Sequence, residues 1–265
     1  MLGAIYGDIV GSIYERRNIK TKSFPIPSPY ARFTDDSVMS VAVAQALMQC
    51  ENTDDIEGFK RILTNSMRQF GALYPRAGYG YKFAKWLAGG ITEPYNSFGN
   101  GSAMRVSPVA WYAKSPEEVI RLAEATAAIT HNHPEGIKGA VSVAMAIYLA
   151  GNGAYKEDIK TYIQKYYYPL DFTLDEIRPT YRFDMTCQGS VPQALEAFFE
   201  SENFEDAVRN AISIGGDSDT IAAITGSVAE AYYGMNENEK ELVFSHLTED
   251  LKEVVLRFRD RYLTV

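Results

Sequence analysis

Apolar residues along the chain recur mostly at spacings of three and four, the repeat of a helix with one face turned inward. The segments with this pattern are "DDSVMSVAVAQALMQC" (35–50), "IEGFKRILTNSMRQFG" (56–71), "PEEVIRLAEATAAIT" (116–130), "PEGIKGAVSVAMAIYLAG" (134–151), "VPQALEAFFE" (191–200), "FEDAVRNAIS" (204–213), "DTIAAITGSVAEAYYG" (219–234) and "EDLKEVVLRFRDRYL" (249–263). Pro116 and Pro134 stand where first turns begin, and Gly71, Gly151 and Gly234 follow last ones, in keeping with helix start and stop preferences. Alternating runs with hairpin turns are absent from the sequence. The pattern predicts an all-α fold, a compact multi-helix orthogonal bundle.

Two of these segments are apolar nearly all round. "VMSVAVAQALM" and "TIAAITGSVAEA" carry Ala and Gly where neighbours must come close, which places them at the centre of the bundle. Stretches rich in Pro, Gly and Tyr (18–33, 74–101 and 166–192) read as long surface loops, the usual carriers of function. Neither an interdomain linker nor an internal repeat is visible, so one domain is expected over residues 1–265. The opening "MLGAIYGDIVGSIYERR" has no basic leader, and Gly3, Gly7, Asp8 and Gly11 interrupt its apolar run. It reads as neither signal peptide nor membrane span, and a cytoplasmic, soluble protein is expected.

Charge narrows the class of partner. A formal net charge of −8 argues against a nucleic-acid groove or an anionic membrane as the main partner. Two cysteines, Cys50 and Cys187, lack metal-site spacing and cannot form a disulfide framework; buried free thiols are expected. With no coiled-coil stripe in the sequence, a monomer is expected.

The acidic residues change the picture more. "FTDD" places Thr34, Asp35 and Asp36 at the start of one central helix, and "GGDSDT" places Asp217, Asp219 and Thr220 at the start of the other. Asp and Thr are common helix caps, and capping is the competing reading for either stretch alone. If the two helix starts converge, however, four carboxylates and two hydroxyls meet at the mouth of an apolar interior. Like charges repel there and burial raises their pKa values. A divalent cation relieves both costs, and oxygen-only ligands select a hard ion, Mg²⁺, Mn²⁺ or Ca²⁺. Separately, "NSFGNGSAMR" has the character of an anion-binding loop, in which Gly99 and Gly101 would let successive N–H groups face a diphosphate.

The stretches "GAIYGDIVGSIYE" (3–15), "FTDDSVM" (33–39), "SFGNGSAMRVSP" (97–108), "ITHNHPEGIKGA" (129–140), "TCQGSVPQAL" (186–195) and "GGDSDTIAAITGSVAEAYYG" (215–234) together resemble the ADP-ribosylglycohydrolase family. The resemblance implies an all-helical hydrolase that cleaves the glycosidic bond between ADP-ribose and an acceptor, using two divalent cations, Mg²⁺ or Mn²⁺. It implies Thr34, Asp35, Asp36, Asp217, Asp219 and Thr220 as metal ligands. Glu15 resembles a glutamate that some relatives carry on a mobile flap, and it joins Asp35 and Asp36 as a candidate general base. Ser97, Phe98, Gly99, Asn100 and Gly101 resemble the loop that grips ADP-ribose, and His131 a substrate-contacting histidine.

Arg105 is open between facing a phosphate and making a structural ion pair. Aromatic residues of "GYGYKFAKWL" or "RPTYRFDMTCQG" are candidates to stack on adenine. The partner implied is an ADP-ribosylated protein, through arginine or serine, or a small ADP-ribosyl conjugate, with residues 16–32 and 74–96 expected to set the acceptor. Two other classes stay open: a non-catalytic ADP-ribose binder and a metal-dependent nucleotide phosphohydrolase.

Overall fold

The computed structural model describes residues 1–263, and there the chain is all-helical; the expected single domain's last two residues lie outside the described ones. The helices are α1 (Leu2–Gly11), α2 (Asp35–Gln49), α3 (Ile56–Leu73), α4 (Tyr81–Leu87), α5 (Gly101–Met104), α6 (Ser107–Tyr112), α7 (Pro116–Ala128), α8 (Pro134–Gly151), α9 (Lys156–Tyr166), α10 (Leu174–Ile177), α11 (Cys187–Phe199), α12 (Phe204–Ser213), α13 (Ser218–Tyr233), α14 (Glu237–His246) and α15 (Glu249–Tyr262). No strand forms among the described residues; one isolated antiparallel bridge joins Gly99 to Thr186. No helix among them is long and apolar enough to cross a membrane.

All eight predicted helices are present. α11 begins four residues before the predicted start, because the Thr186 hydroxyl accepts from Gly189 N (3.1 Å) and caps it there. Pro192 then falls inside the helix, where it has no N–H to give the preceding turn. The predicted surface loops hold two short helices, α4 and α10. α9 and α14 escaped the periodicity because each is narrowly anchored: α9 buries only Ile159 and Ile163, and α14 only Glu239 and Val243.

α2 and α13 form the centre, as their all-round apolar character requires. Every α13 residue from Ser218 to Glu230 is buried, and α2 is buried from Asp36 to Leu47 except at Gln45. The largest departure from expectation is α1, where the glycines that interrupt the apolar run turn out to line a helix face. Gly3, Gly7 and Gly11 recur at the four-residue interval that lines one helix face, and that face lies against the α13 backbone. A methyl group on Gly3 would fall 2.1 Å from the Gly226 carbonyl oxygen, on Gly7 2.0 Å from that of Ala222, and on Gly11 2.6 Å from Asp219 Cα. The register runs antiparallel, so the C-terminal end of α1 meets the N-terminal end of α13. At the opposite end Glu230 accepts from the backbone nitrogens of Met1, Leu2 (3.2 Å) and Gly3 (2.8 Å), partners for donors that a helix start leaves unpaired.

Such backbone contact tolerates no side chain. Gly7→Ala is expected to lower the unfolding free energy by about 2 kcal/mol or more, as overpacking against rigid backbone does. Gly80→Ala, where nothing lies within 4 Å of the added carbon, should stay within about 0.5 kcal/mol. Denaturant midpoints of the two variants make the comparison.

A carboxylate cluster where two central helices begin

The antiparallel register delivers Asp8, one turn before the end of α1, to the start of α13, and α2 begins beside both. Carboxylate oxygens of Asp8, Asp36 and Asp219 lie within 4.8 Å of one another, and Thr220 Oγ1 donates to Asp36 Oδ2 at 3.3 Å. Capping does not account for the motif residues. Thr34 and Asp217 occupy the cap positions of α2 and α13, yet neither side chain makes a cap hydrogen bond.

Asp8, absent from the expected site, does that work for α2. Its Oδ2 accepts from Thr34 N (2.8 Å), Ser37 N (3.1 Å) and the Ser37 hydroxyl, and its Oδ1 from the Thr34 hydroxyl (2.6 Å). A carboxylate offers about four lone-pair sites; Asp8 takes three of these bonds at Oδ2 and one at Oδ1, which keeps room for a further partner. Its bond to the Thr34 hydroxyl hydrogen also leaves that oxygen with lone pairs to offer elsewhere. Asp36 is less well partnered: its Oδ1 is buried with no hydrogen-bond partner, a costly position for a carboxylate oxygen. Among the described residues no lysine or arginine pairs with Asp8, Asp35, Asp36, Asp217 or Asp219. Oxygen donors alone, in negative surplus and with one orphaned, fit a hard divalent cation.

Burial is the first cause of the cluster's raised proton affinities, and for Asp35, Asp36 and Asp219 mutual repulsion is the next. Asp35 is pushed up to about 7 by burial and then by the charge of Asp8. Asp36 stands well above the ordinary range through burial, then Asp8 and Asp219. Asp219 does so through burial, then Asp217 and Asp8. Asp217 is raised by burial, against which the Asn100 hydrogen bond works. Asp8 is also raised by burial, opposed by Ser37 and Thr34.

Glu15 faces the same cavity, on the irregular segment between α1 and α2. Its own side chain is partly exposed and lies 3.9 Å from Arg16 Nε. The segment is docked on the turn before α13. Asn18 Nδ2 donates to Gly216 O (2.9 Å), Tyr14 O (2.7 Å) and Glu15 O (3.0 Å), while Asn18 Oδ1 accepts from Gly216 N (2.9 Å). Lys20 Nζ donates to Tyr181 O (2.7 Å) and Ile214 O (2.5 Å). Gly215 and Gly216 take φ of +69° and +80°, a region open mainly to glycine. A methyl on Gly216 would also lie 2.4 Å from the Tyr181 ring.

Asp35, Asp36, Asp217 and Asp219 form the floor of a cavity of about 520 Å³, which Asp8 supports from behind without lining it; the volume is within the usual range for small-molecule sites. Its walls include Ser97, Gly99, Asn100, Gly101, Arg105 and His131. Phe98 is not among them; its ring packs 5.2 Å from that of His133. Tyr81 and Phe183, from the two aromatic stretches singled out in the sequence, stand exposed at the rim.

The glycine loop differs from expectation. Neither Gly99 nor Gly101 has a positive φ. The Gly99 amide donates to Ser97 Oγ (3.2 Å) and the Asn100 amide to Met185 O (2.8 Å), so these two N–H groups do not face the cavity. What the glycines provide is room beside His131: a methyl on Gly101 would lie 3.2 Å from its Nε2. Asn100 reaches the acidic floor instead, its Nδ2 donating to Asp217 Oδ2 at 2.8 Å. Arg105 makes no ion pair among the described residues; its Nη2 donates to Thr126 O and Thr130 Oγ1, both at 2.9 Å.

An all-helical protein with a buried carboxylate cluster under a ligand-sized cavity is the class that fold and site define. The sequence matches the ADP-ribosylglycohydrolase family over residues 1–263, and the chain belongs to that family. It is 26% identical over 313 residues to ADP-ribosylhydrolase ARH3 of Homo sapiens, covering 89% of this chain and 85% of the relative. It is also 26% identical over 216 residues to the ADP-ribosyl-[dinitrogen reductase] glycohydrolase of Rhodospirillum rubrum, covering 78% of this chain and 70% of that one. A solved structure titled ADP-ribosylglycohydrolase-related protein complex shares the fold, with a TM-score of 0.60, 22% identity and coverage of 97% of this chain and 95% of that one.

The acid cluster has a pH signature. With folded pKa values raised, the folded protein holds protons that the unfolded chain has released, between about pH 4 and the folded value of Asp35 near 7. Stability measured in chelator should therefore fall as pH rises through that window. Denaturant midpoints at about pH 5 and about pH 8 test this; a midpoint that rises with pH would contradict the arrangement.

Proposed function

We propose that the chain hydrolyses the glycosidic bond between ADP-ribose and an acceptor, releasing ADP-ribose, with two divalent cations, Mg²⁺ or Mn²⁺, held by Thr34, Asp35, Asp36, Asp217, Asp219 and Thr220. The observation that carries this reading is the orphaned, buried Asp36 Oδ1 in an acidic cluster without a protein cation, at the floor of a ligand-sized cavity. The relatives' printed activities, on ADP-ribosyl substrates, point the same way. Bound there, such ions supply charge stabilisation and a more acidic water.

The chain's own residues divide the remaining work. Asp8 holds Thr34 and Ser37, and so sets the direction in which Thr34 and the first turn of α2 face the site. Asn100 fixes Asp217 by its side-chain amide. Glu15, Asp35 and Asp36 are the candidates to take the proton from the attacking water. Of these, Asp35 has its proton affinity near neutrality in the metal-free protein, and Glu15 reaches the cavity from a segment anchored by Asn18. Carboxylate charge beneath the sugar would favour the oxocarbenium-like transition state of glycosidic cleavage.

Ser97, Gly99, Asn100, Gly101 and His131 form the wall that would receive the ADP-ribose, with Tyr81 and Phe183 at the rim available for stacking on its base; Phe98 supports that wall from outside. Arg16, Arg32, Ala77, Gly78, Tyr81 and Tyr95, from the two segments expected to set the acceptor, line the same cavity. The reading treats the chain as one domain, acting as a cytoplasmic monomer; Cys50 and Cys187 are buried free thiols, as a reducing compartment allows.

A panel of arginine-, serine- and ester-linked ADP-ribosyl substrates, assayed with Mg²⁺ and then with excess chelator, tests the reading. Intact ADP-ribose should be the product and should disappear on chelation. AMP as product would indicate a phosphohydrolase, and binding without turnover a non-catalytic binder. Asp36→Ala and Asp217→Ala are each expected to lower turnover by about a hundredfold or more with helical content retained by circular dichroism. Asp8→Asn, outside the proposed ligand set, should weaken metal affinity by about 10–100-fold, read by titrating Mn²⁺.

A further inference from the structure

His131 is 5% exposed, and its two ring nitrogens are treated differently by the fold. Nδ1 lies 2.7 Å from Thr130 Oγ1. Nε2 makes no hydrogen bond within the described protein and lies beside Gly99 and Gly101, where a methyl group would approach it to 3.6 Å and 3.2 Å. Which nitrogen carries the hydrogen follows from the next link. Thr130 Oγ1 already accepts from Arg105 Nη2 at 2.9 Å, a donor that cannot accept in return. Among the described residues the Thr130 hydroxyl hydrogen has one acceptor, His131 Nδ1. Were Nδ1 protonated, that hydroxyl hydrogen would be buried without a partner, since Thr130 is 0% exposed.

We propose that Arg105 and Thr130 are positioning residues that hold His131 as the neutral tautomer with hydrogen on Nε2, so that it presents an uncharged donor to an oxygen of the ligand at the glycine loop. Arg105 fits a fixed purpose of this kind. It is 1% exposed, has no carboxylate partner among the described residues, and its guanidinium lies 5.6 Å from the Phe83 ring centroid. Burial first, and the charge of Arg105 second, keep His131 well below its ordinary pKa, consistent with a neutral ring. The donor faces the same cavity as Ser97 and Asn100, where an oxygen-rich phosphate or ribosyl group is the complementary chemistry.

The identity of the ligand rests on the proposed hydrolase reading; the tautomer does not, and the two are tested apart. The ¹⁵N resonances of the histidine rings distinguish the tautomers in the ligand-free protein, and with only three histidines in the chain their assignment is direct. Wild-type protein should show His131 with Nε2 protonated and Nδ1 bare. Thr130→Val should release it to a mixture and weaken ADP-ribose affinity about tenfold, the worth of one well-placed donor, and Thr130→Ser should restore both. An Nδ1-protonated ring in the wild type, or a Thr130→Val protein with unchanged spectrum, would overturn the relay whatever the variants do to folding. A correct tautomer with no ADP-ribose binding would leave the relay standing and remove the hydrolase reading instead.

Discussion

The contact on which the site depends is made by no functional side chain: it is the backbone of α1 lying against the backbone of α13. Three glycines four residues apart let the two helices approach until an added methyl group would overlap carbonyl oxygens. At that separation the register cannot slide, because a shift would bring side chains into the seam. Asp8 and Asp219 then face one another by necessity, and α2, held to Asp8 through four hydrogen bonds, completes the cluster. The geometry of the acidic floor is thus a product of close packing, with Glu230 holding the far end of the same pair.

That packing forces charges together that would otherwise avoid each other. The start of α13 and the start of α2 bring helix-dipole positive ends to the cluster, a modest offset for buried carboxylates. The bulk of the conflict stays unresolved within the protein, as the raised proton affinities of Asp35, Asp36 and Asp219 record. A site in this state suits cation capture, since an occupying ion relieves both desolvation and repulsion at once. Asp8, with four hydrogen bonds to the start of α2, and Asp36, with an unpartnered oxygen, differ in how far the protein itself satisfies them.

Most of this was readable in the sequence, for reasons that differ by element. The central helices announced themselves through unbroken apolar character, and the paired Thr–Asp–Asp and Asp–Ser–Asp–Thr runs at their starts gave away the acidic mouth. Asp8 is not legible as a site residue when Gly3, Gly7, Asp8 and Gly11 are read together as interruptions of an apolar run. The glycines' common interval of four, matched by Gly226 and Ala222 in the other central segment, was the signal of a seam. α9 and α14 each bury too few side chains for periodicity to register. The sequence points to backbone freedom at Gly99 and Gly101, whereas the structure uses their lack of volume beside His131. The tautomer of that histidine is set by Thr130 next to it and Arg105 twenty-five residues before Thr130, a relation that spacing alone does not reveal.

The α1–α13 seam also has a meaning in time. Gly3 and its partner Glu230 are separated by 227 positions, so in a chain made from its N-terminus α1 emerges long before the helix that covers its glycine face. Until then the half-built protein holds Asp8 and the Thr34–Asp36 run without Asp217 or Asp219. Closing so long a loop is slow compared with forming local helices, and the constellation is assembled only after the Asp217–Asp219 run has been synthesised. A chain stalled before that run would accordingly hold Asp8, Asp35 and Asp36 without the two carboxylates that complete the cluster.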